Sequence, residues 1–136
     1  MKIFGKILAV NISQKKGEKK SNIDCGLFLE NLGLANDAHA EPGIRQVSLL
    51  AKESIEKIKE KGLDVQYGDF AENLTTEGID LPSLPVGTKL KVGNKVNRIT
   101  SSLNRYGQSI LQAGNRDAIE EAFKKYESII ADECLK

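Results

Sequence analysis

The dipeptide Gly93-Asn94 constrains this chain more than any other feature. It separates two runs, Thr88 to Val92 and Lys95 to Thr100. A two-residue loop of this composition is a strong short-range signal for an antiparallel hairpin. Paired strands need neighbours, so the rest of the chain is read first for strands that can share a sheet. Residues 3 to 12 are rich in aliphatic side chains and end at a Ser-Gln-Lys-Lys-Gly loop, the pattern of a strand and a turn. The segment CGLFLENLGL is a second apolar run and a candidate strand. Asn36 and Pro42-Gly43 mark bends, asparagine because it tolerates the left-handed region. Ile44, Val47, Leu49 and Leu50 then outline a buried strand over 44–50.

From Ala51 the period changes. Ala51, Ile55 and Ile58 fall on one helical face, Glu53 and Lys57 form an i,i+4 pair, and Gly62 supplies a stop. Pro82 and Pro85 mark a loop before the hairpin. After Thr100, Ala118, Ile119, Ala122, Phe123, Tyr126, Ile129 and Ile130 trace an apolar stripe at helical spacing. The expected fold class is therefore mainly β with helices over residues 1–100, followed by a helical tail over 101–136. At 136 residues the chain is long enough for one domain with a real core and short for two.

Bulk charge excludes little but excludes it cleanly. The net charge of +1 offers no general attraction for a polyanion, so any anion site is local. Lys15, Lys16, Lys19 and Lys20 cluster, diluted by Gly17 and Glu18, and read as a solvated loop. With no tryptophan and few aromatics, nucleic acid is not an expected partner. No apolar stretch reaches the length of a membrane span, so no membrane partner is expected. No leader pattern follows MKIFGKILAV, which points to a cytoplasmic location. There Cys25 and Cys134 are expected as free thiols, and the glycosylation-type triplets at Asn11 and Asn73 carry no meaning.

Several chemistries lack their residues. There is no Gly-Lys-Ser/Thr phosphate loop, no Gly-x-Gly-x-x-Gly and no Gly-x-Ser-x-Gly elbow. One histidine and two distant cysteines make a poor metal set, so no metal site is expected. Two polar stretches remain. In an extended segment Asp37 and His39 project to the same face, where the carboxylate would orient the imidazole. Arg45 nearby offers a bidentate fork for phosphate or carboxylate. Glu72, Asn73, Thr75 and Thr76 put a carboxylate, an amide and two hydroxyls within five positions. Such groups line a pocket or satisfy loop backbone, and composition leaves the two readings even.

The stretches GLANDAHAEPGIRQVSLLAKES and YGDFAENLTTEGIDLPSLPVGTKLKVG resemble the MOSC domain, the family named for the C-terminal domain of molybdenum cofactor sulfurases. The opening GKILAVNISQKKG fits as well, and the likeness runs from about Ile3 to about Val96. It implies a β-barrel-like fold with a few helices. It also implies a link to the molybdenum cofactor (molybdopterin), an anionic pterin with a phosphate and a dithiolene-held metal. Family members are linked to sulfur transfer to that cofactor, or to reduction of N-oxygenated compounds with it. The matched positions imply that Arg45 and the Asn73–Thr76 groups contact phosphate or pterin, that Asp37 and His39 shape the site, and that Gln46, Ser48 and Glu72 belong to it.

The chain also departs from the family pattern. Asn36 and Glu41 stand where glycine is usual, and Glu41 would repel a phosphate. No cysteine follows the second motif until Cys134, and Cys25 precedes the first, so the expected sulfur carrier has no residue. Two functions stay open: handling of the cofactor or sulfur, and a non-catalytic binding or interaction module on the same scaffold. A barrel that lacks its closing strands exposes an edge, which the helical tail or a second chain in a homodimer would cover.

Overall fold

The computed structural model describes residues 3–23, 25–29, 32–43, 46–92, 95–103, 108–112, 121–124 and 128–132. The hairpin over 88–100 forms as its turn demands. Strand β7 (Lys89–Val92) pairs antiparallel with β8 (Lys95–Leu103), with Val92 opposite Lys95. Gly93 and Asn94 themselves lie outside the described residues.

The longest strand, β1 (Ile3–Ile12), serves three neighbours in turn. Its far end pairs β2 (Ser21–Ile23), and its middle pairs β6 (Leu74–Glu77). Its first residues pair β11 (Ser128–Asp132). Strand β5 (Val47–Ala51) runs parallel to β6 and antiparallel to β9 (Gln108–Gln112). The large sheet runs β11-β7-β8-β9-β5-β6-β1-β2, and β11 pairs β1 in addition to β7. A small sheet holds β10 (Glu121–Lys124), β3 (Cys25–Leu29) and β4 (Gly33–Leu34), in that order.

A parallel pair needs a crossover, and α1 (Lys52–Glu60) begins the one between β5 and β6. Nine residues make a marginal helix alone. Burial of Ile55 and Ile58 docks it, and Gly62, at φ 94, turns the chain away after the C-cap. The i,i+4 partners differ from expectation. Lys52 pairs with Glu56 and, at 2.7 Å, with Glu77 of β6, while Glu53 accepts the Gly78 amide. The Glu77 hydrogen bond is the main reason the Lys52 ammonium is pushed up to about 12. Inside the sheet, Ile7, Val10, Leu34, Val47, Leu49, Leu74, Ile79, Leu81 and Leu90 are buried in one cluster.

The helical tail is corrected. The described residues of 101–136 are strands: the end of β8, then β9, β10 and β11. The physical reason lies in the edges. Residues 3–6 of β1, β5 and β7 each present backbone donors and acceptors that must be paired, and tail segments pair them. Ile129 and Ile130 are β-branched and suit a strand as well as a helical stripe. The exposed edge was expected to be covered by a helical tail or by a second chain; among the described residues β11 pairs β1 and β9 pairs β5. The 100/101 boundary falls inside β8. No helix among the described residues is long and apolar enough to cross a membrane.

Candidate functional site

The two polar stretches meet beyond the end of β1. Asn36 takes φ 66, the left-handed bend its side chain tolerates, and delivers Asp37 beneath the loop that leaves β1. Asp37 Oδ1 accepts the Ser13 amide at 3.0 Å and the Lys20 ammonium at 2.7 Å, and Oδ2 accepts the His39 amide at 3.2 Å. The side chains of Lys20 and Asp37 are both fully buried. Lys20 is thus not part of a solvated run, although Lys15, Lys16 and Lys19 are exposed. Its remaining ammonium contacts are Ser13 Oγ at 3.0 Å and His39 Nδ1 at 3.2 Å. Burial alone would raise the Asp37 carboxyl. The Lys20 ammonium and the Ser13 amide outweigh it and hold the group below its ordinary value. Burial and the Lys20 charge together lower the His39 imidazole, against the pull of Asp37.

The second stretch folds back on itself. Buried Glu72 accepts the amides of Gly68 at 2.9 Å and Phe70 at 3.2 Å, and the Thr75 hydroxyl at 2.9 Å. Burial pushes its carboxyl up, and these hydrogen bonds oppose the shift. Asn73 clamps two strands. Its Oδ1 accepts the Ser48 amide and its Nδ2 donates to the Asn11 carbonyl, each at 3.0 Å. Asn11 returns two bonds from its own amide group, to Glu72 O at 3.1 Å and Thr75 Oγ1 at 3.4 Å. Ala71 is held at φ 58, and its carbonyl accepts the Ser48 hydroxyl at 3.0 Å. Asn73→Ala removes the partner of the half-buried Ser48 amide and of the buried Asn11 carbonyl, and is expected to cost about 2 kcal/mol in urea unfolding.

Between the stretches lies a cavity of about 330 Å³. His39, Glu41, Gln46 and Ser48 line it from the first motif, and Phe70, Ala71 and Asn73 from the second. Lys16 reaches it from the loop after β1 and is hydrogen-bonded to Glu41, whose carboxyl it lowers. Four of the expected site residues, His39, Gln46, Ser48 and Asn73, therefore reach one cavity. Asp37 supports His39 from behind. Glu72 and Thr75 are spent on the loop and on Asn11, the backbone-satisfying alternative. Thr76 is buried on β6, its hydroxyl without a partner among the described residues. Arg45 lies outside the described residues. Sequence reasoning missed Lys20 and Asn11. A lysine run hid the first and a glycosylation-type triplet the second. Among the described residues no cysteine lines the cavity, and no cluster of His, Cys, Asp or Glu suits a metal ion.

A family model described as MOSC domain matches residues 35–106, which contain the second motif and all but the first two residues of the first. Among solved structures, the YuaD protein from Bacillus subtilis is similar with a TM-score of 0.80 at 15% identity, over 96% of this chain and 97% of that one. YiiM from Geobacillus stearothermophilus gives 0.69 at 10% identity, over 94% and 75%. YiiM from Escherichia coli gives 0.62 at 15% identity, over 97% and 70%. No curated protein matches the chain. At these identities the structural likeness concerns the fold.

Proposed function

The chain belongs to the MOSC domain family, and from that membership we propose that it binds a small anionic pterin of the molybdenum-cofactor class, without itself carrying sulfur. The observation that carries this reading is the cavity into which both motifs run. Its volume, about 330 Å³, lies at the small end of the range for small-molecule sites. Phe70 offers a ring against which a flat heterocycle can pack, and His39, Gln46 and Ser48 offer polar groups around it. The pairing of residues 3–6 of β1 with β11, at the end of β1 away from the cavity, supports reading the large sheet as the family's barrel.

The donor set fits the pterin and does not fit sulfur chemistry. Sulfur transfer, or thiolate ligation of molybdenum, needs a cysteine, and the described lining holds none. Cys25 sits in β3 of the small sheet, and Cys134 lies outside the described residues. The binding module is thus favoured over the sulfur carrier. The Lys16–Glu41 pair sets the charge at the cavity: an anion drawn to Lys16 competes with the carboxylate already there.

Pterin-6-carboxylate titrated calorimetrically into the purified protein tests this. Glu41→Gln is expected to tighten binding, and Lys16→Glu to weaken it by about tenfold, both effects shrinking at high salt. These side chains are exposed, so neither change threatens the fold. A wild-type protein that binds no pterin, or two variants that leave its affinity unmoved, would sink the proposal. Mass analysis of protein purified from its own source would identify the natural ligand.

A further inference from the structure

The Lys20 ammonium has three protons and, among the described residues, three acceptors: Asp37 Oδ1 at 2.7 Å, Ser13 Oγ at 3.0 Å and His39 Nδ1 at 3.2 Å. An ammonium only donates, so in the third contact Nδ1 must accept through its lone pair. The other candidate for Nδ1 is Asp37 Oδ2, which lies 3.8 Å away, too far for a hydrogen bond. Oδ2 is already engaged by the His39 amide. We propose that Lys20 is a positioning residue that fixes the His39 ring proton on Nε2 and so makes His39 a neutral hydrogen-bond donor to the cavity's ligand.

The arrangement defines what the ligand must offer. A neutral N–H recognises an acceptor without a proton: a carbonyl, an unprotonated ring nitrogen or an oxyanion. It gives no preference based on a full positive charge. Lys20 and Asp37 are buried together, so the charge behind the ring is compensated and only the ring's dipole reaches the cavity. The groups that act on the ring among the described residues are Lys20, Asp37, Lys16 and Glu41, two of each sign. The ring is partly exposed and lines the cavity, which leaves it accessible to a ligand.

The state of the ring rests on geometry alone, whereas the identity of the acceptor rests on the pterin reading above. The experiment separates them. His39 is the only histidine, so the imidazole nitrogens of the ¹⁵N-labelled full chain assign themselves in a long-range ¹H–¹⁵N correlation spectrum. At pH 7 the neutral Nε2–H pattern is expected. An Nδ1–H pattern or a cationic ring overturns the proposal. Lys20→Met is expected to shift the pattern towards Nδ1–H, and Lys20→Arg, which keeps a donor cation, to restore Nε2–H. An unchanged pattern in folded Lys20→Met also overturns it. If Lys20→Met does not fold, the wild-type spectrum still decides.

For the ligand, His39→Ala should weaken pterin-6-carboxylate binding by about tenfold, the scale of one hydrogen bond. Wild-type affinity should stay flat between about pH 7.5 and 6.5, where a titrating cation would make it climb. Equal affinity in His39→Ala, or a steep climb, overturns the donor role. An Nε2–H ring in a protein that binds no pterin supports the Lys20–His39 assignment and sinks the pterin reading instead.

Discussion

Lys20→Met is expected to lower the unfolding free energy at pH 7 by about 3–5 kcal/mol, the cost of leaving a buried charge without its partner. Lys20 and Asp37 lie 2.7 Å apart with no exposed side-chain surface, so water cannot replace the ammonium. The loss also reaches Ser13 Oγ and His39 Nδ1, which share the same cation. Adding Asp37→Leu should recover only part of it. The amides of Ser13 and His39 would then lose their acceptor, each a cost of its own. A double-mutant cycle in urea measures the coupling.

The pH dependence carries a definite sign. The folded-state pKa of Asp37 lies below 3.8, so the unfolded chain binds that proton more readily. Its contribution is full above 3.8 and disappears as pH falls through the folded value. His39 acts in the same direction: its folded pKa lies below 6.5, so stability is full above 6.5 and falls as pH drops through the lowered value. Glu72 acts oppositely. Its folded pKa lies above 4.5, and its contribution is lost as pH rises through that value. In Lys20→Met the buried Asp37 carboxyl loses its main opposing group and burial raises it. The gap between variant and wild type should therefore narrow as pH falls towards 4, a trend that urea midpoints at several pH values would reveal. A gap that widens instead would contradict the buried pair.

Gly68→Ala is the second large effect. Gly68 and Gly62 share φ +94, a conformation that costs an alanine about 1–2 kcal/mol. Their surroundings differ. A Cβ on Gly62 meets nothing within 4 Å, whereas on Gly68 it would stand 2.1 Å from the Lys20 carbonyl oxygen. That oxygen is backbone and cannot swing aside as a side chain would. The chain at Lys20 is moreover tied to Gly68 by an amide-to-carbonyl bond of 2.9 Å. Gly68→Ala is expected to cost about 3 kcal/mol or more, and Gly62→Ala only the conformational part. The difference isolates the clash. Because the displaced segment carries Lys20, Gly68→Ala should also disturb the His39 imidazole spectrum. Equal costs at the two glycines would refute the close approach.

Much of this architecture was legible where local chemistry decides. The Gly-Asn turn implies its hairpin, Ile55 and Ile58 imply the buried side of α1, and Asn36 implies a left-handed bend that its φ of 66 confirms. Local pattern failed after residue 100. There the apolar residues fit a helix by spacing, yet among the described ones Ile129 and Ile130 pair β1 and β7, and Ala122 and Phe123 pair β3. The site divides in the same way. His39 and Asn73 stood out as polar groups beside apolar runs, Gln46 and Ser48 came in through the family resemblance, and the four share a cavity. Glu72 and Thr75 had the same appearance and serve the loop instead.

By itself, then, the sequence determined the turns, helix α1, the family and the two polar strips that approach each other. Only the tertiary structure decided which polar groups face the cavity, that the described segments of the tail pair as strands, and that one lysine of a charged run is buried on Asp37. Turns and helix faces depend on a few adjacent residues, whose φ preferences and spacing are written locally. Strand pairing, burial and the partner of an ammonium depend on groups far apart in the chain, and no local pattern records which of them will meet.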